Sequence, residues 1–309
     1  MILVTGPTGC VGRAVVERLT SSGHSLKLLW HWDHEHLAPR RVAIVGGDVR
    51  NVQSLVDAME DVDTIIHLAS LRRDVGKDSG AEARVDETNA TGTRNLIEAA
   101  RRAKVSRVIT VGCLGAEARS AYPYLRSMGK AEEMVRSSGL NFTVLKSAVV
   151  YGDGDWLTSW LSGIATSMPF IMPLPHSGET RLQPIWVGDL AACIERCMST
   201  RSTFRQVVPI GGPQSLTLSE IAQITLSATK VNRRFVRIPS SMTRQLSRFL
   251  AHCRGALTEM EIDALSYNRT TEIGSVHRMF GFAPARMPTK LAHLRRDREP
   301  APLPVRFAR

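Results

Sequence analysis

Five cysteines in 309 residues, Cys10, Cys113, Cys193, Cys197 and Cys253, contain no Cys-x-x-Cys pair, which speaks against a disulfide framework and against a zinc ribbon. No basic leader precedes the first apolar stretch at Ile2, so that stretch reads as a strand rather than a signal peptide. The one long uncharged run, Trp156 to Pro175, is broken by Pro169, Pro173 and Pro175 and by several hydroxyl residues, so it reads as a helix followed by a loop, not a membrane span. The basic tail has few aromatics, not interleaved with its basic residues, and no recognition motif, which leaves nucleic-acid binding with little support. There is no internal repeat. A cytoplasmic setting fits these absences.

Charge is present but uneven. The net charge is +11, and from Lys230 onward 16 Lys and Arg face 6 Asp and Glu, leaving about +10 there and only +1 in the rest. A neutral body with a basic end can dock by long-range attraction on an anionic membrane surface or an acidic protein complex. The protein is therefore expected to be peripheral to such a surface, or merely kept soluble by the charge.

The first half alternates short apolar runs with helical periodicity. Ile2–Val4, Leu26–Trp30, Val42–Val45, Thr64–Leu68, Val108–Val111 and Phe142–Leu145 read as strands, with helices such as Val11–Leu19 and Thr93–Ala103 between them. This pattern predicts an α/β fold with a doubly wound parallel sheet of Rossmann type. The expected organisation is a dinucleotide-binding domain over 1–150, with sheet contributions from about 183–212. Residues 151–182 and 213–298 should form a smaller, mostly helical region that takes a substrate or partner, and 299–309, with three prolines, a free tail.

The opening strand runs straight into Gly6-Pro7-Thr8-Gly9-Cys10-Val11-Gly12 and then a helix. Glycines at those places let a pyrophosphate approach the main chain at a helix N-terminus, where free amides and the dipole favour an anion. Gly12 is expected to let the helix pack close to the strand. The spacing Gly6-x-x-Gly9-x-x-Gly12 resembles that of the extended and atypical short-chain dehydrogenase/reductases. Gly47-Asp48-Val49, His67-Leu68-Ala69 and Asn89 with Gly92-Thr93-Arg94-Asn95-Leu96 continue the resemblance. Val149-Val150-Tyr151-Gly152, Gln183-Pro184-Ile185-Trp186-Val187-Gly188-Asp189, Gly211-Gly212-Pro213 and Phe280-Gly281-Phe282 are similar to a subgroup that includes the nucleotide-binding accessory subunit of respiratory complex I and its bacterial relatives.

That resemblance implies NADP or NAD as cofactor, held by Gly6, Thr8, Gly9, Cys10, Val11, Gly12, His31, Asp48, Val49, Leu68, Ala69 and Ser70. His31 stands where an acidic residue would select NAD and a basic one NADP. NADP is favoured, with Arg13 assisting and Asp33 opposing. His31, His34 and His36 lie close together, but in a loop without a rigid frame, so no metal site is expected.

Catalytic members of the superfamily use a Tyr, a Lys four residues later, and an upstream Ser or Thr. A phenol with pKa near 10 needs a cation before it can exchange protons at neutral pH. Here Tyr124 occupies the tyrosine place, but Met128 stands for the lysine and Gly112 for the serine, and Lys130 falls on another face of the helix. Tyr122 with Arg126 has the right spacing, yet Pro123 marks the first helical turn. Lys146 ends a strand and is a further candidate; Cys113 and the pair Cys193 and Cys197 read as packing, and Asp189 as either a brace near the cofactor or a first-turn acid.

Two main functions remain open, beside a nucleotide-sensing regulator. One is a dinucleotide-binding accessory or assembly protein. The other is an oxidoreductase, epimerase or dehydratase with Tyr124 as acid-base, acting on a quinone-like or isoprenoid substrate against Trp156, Trp160, Met168, Phe170 and Met172.

Overall fold

The computed structural model describes residues 1–30, 42–72, 80–168, 170–239, 242, 245, 262 and 264–296. Six strands, β1 (Ile2–Thr5), β2 (Leu26–Trp30), β3 (Val42–Gly46), β4 (Thr64–His67), β5 (Arg107–Cys113) and β6 (Phe142–Ser147), join the later strand Gln206–Ile210 in one sheet. The order is Gln206–Ile210, β6, β5, β4, β1, β2, β3, and every pairing is parallel. Chain order reverses between β1 and β4, which opens a crevice at the carboxyl ends of those strands.

Helices cover both faces, so β1 is buried along its whole length. Successive side chains of a strand point to opposite faces. Ile2 and Val4 accordingly pack with Val15 and Leu19 of α1 (Cys10–Ser21) and with Leu190, Cys193, Ile194 and Cys197, whereas Leu3 packs with Leu55, Leu96 and Ala99 on the other side. Cys193 and Cys197 are core residues, as their spacing suggested, and burial pushes both thiols up, Cys197 to about 12. The intervening helices are α2 (Val52–Ala58), α3 (Ala81–Asp86), α4 (Gly92–Arg102) and α5 (Pro123–Arg136). A π-type turn over Glu87–Thr91 joins α3 to α4.

A second apolar cluster gathers α6 (Trp156–Ser167) and the helix Leu218–Thr229 around Tyr151, Met172, Leu174 and Leu182. Asp155 caps α6, its carboxylate accepting from the Thr158 amide at 2.8 Å and the Gly152 amide at 3.0 Å. Thr217 and Glu220 form a capping box on Leu218–Thr229. The segment after α6 differs from expectation. Ile171–Pro175 is a strand, not a loop, and runs parallel to Arg234–Ile238 in a two-stranded sheet. Proline lacks an amide donor and is tolerated at a sheet edge, and each strand of this pair has an edge free.

Candidate functional site

A cavity of about 450 Å³ occupies the crevice between the Gly6–Gly12 turn and Tyr124. The three glycines of the turn have different tasks. Gly6 sits at φ +67°, and a Cβ there would lie 2.6 Å from the Ala69 nitrogen. A Cβ on Gly12 would lie 2.1 Å from the Gly6 carbonyl oxygen, so the close approach is between the first helical turn and the glycine loop itself rather than the strand. Gly9 alone of the three is roomy, its nearest neighbour being the Gly6 oxygen at 3.7 Å. Gly6 and Gly12 thus fold the turn, and Gly9 keeps open the face on which the first-turn amides of α1 point outward. Arg13 braces the turn through the Thr8 carbonyl at 2.8 Å and the Asp153 carbonyl at 3.1 Å.

The opposite wall hangs on a buried histidine. The Thr93 hydroxyl donates to the Asn89 carbonyl at 2.6 Å, so it accepts from His67 Nε2 at 3.1 Å. His67 Nδ1 therefore accepts from the Thr5 hydroxyl at 2.7 Å, and Thr5 Oγ1 accepts from the Leu68 and Ala69 amides, both at 3.2 Å. Every donor of this relay finds an acceptor if His67 is neutral. Burial agrees, lowering the imidazole from 6.5 to about 4. Asn89 adds bonds to the Leu71 amide and carbonyl at 2.7 and 2.9 Å and to Ser127 at 2.9 Å, and Asn95 holds the Val49 carbonyl at 3.1 Å. A Cβ on Gly92 would come within 2.9 Å of Val49. The Asn89 to Asn95 motif is thus a frame that clamps the crevice loops.

Beyond this frame the catalytic pattern is dismantled. Met128, 8% exposed, packs with Cys113, Ala116 and Leu125. Lys130 reaches Asp86 at 2.9 Å, and Lys146 reaches Glu132 at 3.0 Å and the Ala116 carbonyl at 3.1 Å. Burial pushes the Tyr124 phenol above its ordinary value, Cys113 adding to the rise and Arg72 and Arg269 opposing it. That shift is opposite to what an acid-base tyrosine needs. The spaced pair Tyr122 and Arg126 is also occupied: Tyr122 stacks on Tyr267 at 5.5 Å between centroids, and Arg126 bonds the Ser120 carbonyl at 2.9 Å and Glu82.

Of the residues expected to meet a cofactor, Gly6, Gly9, Cys10, Val11, Gly12, Leu68, Ala69 and Ser70 line the cavity together with Tyr124. Thr8, Asp48 and Val49 lie outside its lining, and Asp48 is engaged by Arg50 at 2.6 Å. His31, with His34 and His36, lies outside the described residues. Burial pushes the Cys10 thiol up to about 12, which keeps it protonated. Asp189, in the first turn of the helix Val187–Cys197, accepts from the Ala285 amide at 2.7 Å.

The apolar substrate wall is placed differently from expectation. Trp156 lines the cavity, but Trp160 and Met172 are core, Met168 packs against that core, and Phe170 is 81% exposed. In their stead two arginines line it: Arg72, whose guanidinium lies 4.4 Å over the Trp156 ring, and Arg269, which arrives from far along the chain. No local pattern marked Arg269.

Residues 6–155 match a family model described as NAD(P)H-binding. This stretch is an NAD(P)H-binding domain. The chain is 25% identical over 254 residues to the NADH dehydrogenase [ubiquinone] 1 alpha subcomplex subunit 9, mitochondrial, of Arabidopsis thaliana, covering 79% of this chain and 61% of that one, less than two thirds of its length. It is 24% identical over 302 residues to the photosystem II assembly factor Ycf39 of Synechocystis sp., covering 95% and 89%. It is 27% identical over 247 residues to an NAD(P)H azoreductase of Xenophilus azovorans, covering 79% of each. The UDP-glucose 4-epimerase of Thermotoga maritima shares the fold, with a TM-score of 0.73 and 17% identity over 96% of this chain and 97% of that one. Among the described residues, no helix is long and apolar enough to cross a membrane.

Proposed function

We propose that this chain is an accessory or assembly protein in which a bound nicotinamide dinucleotide stiffens the fold and is not turned over. One observation carries the reading: the turn around Gly9 keeps its open face, while the lysine place beside Tyr124 is a buried methionine. The diphosphate would rest on the amides of Gly9, Cys10, Val11 and Gly12, with Leu68, Ala69 and Ser70 along the middle of the ligand and Thr8, His31, Asp48 and Val49 toward the adenosine end. The dinucleotide would bring hydride chemistry that this reading leaves unused. The groups of this chain hold and orient it. NADP is favoured, because His31 stands in sequence where an acidic residue would select NAD.

The Arabidopsis and Synechocystis relatives, named as a subunit of NADH dehydrogenase and as a photosystem II assembly factor, support a role beside larger complexes. So does the surface. Phe170, 81% exposed, has its carbonyl bonded by the Arg234 amide at 3.1 Å, and the exposed Ile171 and Val236 lie on the same strand pair as the exposed Arg234 and Arg237, a basic and apolar combination suited to an anionic membrane face or an acidic complex. Purified protein given NADPH with a panel of quinones and carbonyls is expected to consume no hydride above background.

A second reading, an oxidoreductase, epimerase or dehydratase with Tyr124 as acid-base, is favoured by the cavity continuing past Tyr124 to Trp156 and by the azoreductase relative. Hydride consumption in the same assay would establish it and overturn the first.

A further inference from the structure

Arg269 is 5% exposed, yet it lines the cavity. Its backbone is pinned: the amide donates to the Arg181 carbonyl at 2.9 Å, and Asn268 accepts from the Arg181 amide at 2.8 Å. The guanidinium gives Nη2 to the Ala264 carbonyl at 2.6 Å and Nη1 to Cys113 Sγ at 3.8 Å, and lies 5.5 Å over the Tyr267 ring. Among the described residues neither its Nε nor the buried Tyr267 hydroxyl has a hydrogen-bond partner, and no carboxylate reaches the guanidinium. A buried charge held only by a carbonyl and a sulfur is costly to keep unless something anionic completes it.

The place of Arg269 in the sheet separates it from the phosphates of the dinucleotide. Cys113 ends β5, and β5 is two strands from β1 through β4. At a spacing of about 4.8 Å per strand, the strand that ends at Cys113 lies roughly 10 Å across the sheet from β1. It lies on the side away from β2, where the ribose hydroxyls or 2′-phosphate of the dinucleotide would be read. A planar guanidinium lining the cavity is a fork of N–H donors that suits the two oxygens of a carboxylate. Its burial admits a small molecule and not a protein side chain carried on a partner surface.

We propose that the Tyr124 end of the crevice is an anion subsite in which Arg269 receives the carboxylate of a small ligand seated next to the dinucleotide. Arg72 over Trp156 adds positive charge to the same wall and a flat surface for the body of the ligand. The proposal rests on the reading of the crevice as the dinucleotide site and holds whether or not hydride is transferred.

Calorimetry on the full chain tests it, first with NADPH alone, then with benzoate and its uncharged counterpart benzamide on the NADPH-saturated and the nucleotide-free protein. Benzoate is expected to bind at least about tenfold more tightly than benzamide, and Arg269→Gln to abolish that preference while leaving the NADPH affinity unchanged. Should Arg269→Gln fail to fold by circular dichroism, Arg269→Lys serves, keeping the charge and losing the fork, with benzoate affinity falling while NADPH affinity holds. Equal affinities for the two probes, or no binding of benzoate, overturns the subsite. Absence of heat from NADPH would count against the dinucleotide reading and is read separately, in the first titration.

Discussion

The two ends of the crevice are built from different materials. At the Gly6–Gly12 end the working groups are backbone amides, fixed by contacts that tolerate no Cβ at Gly6 and Gly12, whereas at the Tyr124 end they are side chains, with Met128 and Gly112 at the lysine and serine places and Arg72 and Arg269 on the wall. A site made of backbone survives as long as a few glycines do. One made of side chains is lost or remade with each substitution, and its chemistry changes with them.

The comparison breaks most sharply at Gly12. Gly12→Val would drive its side chain into the Gly6 carbonyl and Pro7, backbone atoms that cannot yield. Overpacking of this kind costs about 1–3 kcal/mol or more, and dinucleotide binding by calorimetry is expected to vanish along with a drop in melting temperature. Gly9→Ala, where the nearest atom is at 3.7 Å, is expected to leave the melting temperature intact and weaken only nucleotide binding, since it fills the open face. Equal losses of stability in the two variants would contradict the division of labour among the glycines.

The His67 relay gives the next effect, in pH. Its folded value is depressed from 6.5 to about 4, so the unfolded chain takes up the proton first as pH falls. The stability contributed by neutral His67 is full above 6.5 and is lost progressively between 6.5 and 4, by roughly 3 kcal/mol from this group at 1.36 kcal/mol per unit. Urea titrations across that window should show this loss in the wild type and a flatter profile in His67→Gln, although that variant starts less stable.

At the other end, Met128→Lys restores the residue that the reductase pattern lacks. It is expected to destabilise the fold by about 1–3 kcal/mol, because the ammonium enters a cluster of Cys113, Ala116 and Leu125, and to yield no NADPH turnover. Turnover appearing in this variant would show that the Tyr124 end had lost one residue only. The smallest effect is at the surface. Arg234→Glu with Arg237→Glu should reduce flotation with anionic liposomes a few-fold at low salt without changing nucleotide affinity, and high salt should erase the difference.

Sequence made the backbone end legible and left most of the other end hidden. The strands from Ile2 to Leu145, the glycine turn and the helix beginning at Pro123 follow from short-range periodicity and turn chemistry. Arg269 could not be read that way, since it shares the cavity with Tyr124 only through contacts distant in sequence, its bridge to Leu182 and its bond to Cys113. The strand Ile171–Pro175 was masked by its own prolines, whose missing amides matter little at a sheet edge. The five apolar residues expected to line a pocket carried no signal separating core from cavity, because packing and ligand contact select the same side chains.

Calorimetric titration of the folded, nucleotide-free chain with NADPH and with NADH tests the central claim most directly. The account predicts saturable heat from at least one of them, with NADPH the tighter, lost in Gly12→Val. No heat from either, from protein verified as folded and free of carried-over nucleotide, would contradict it.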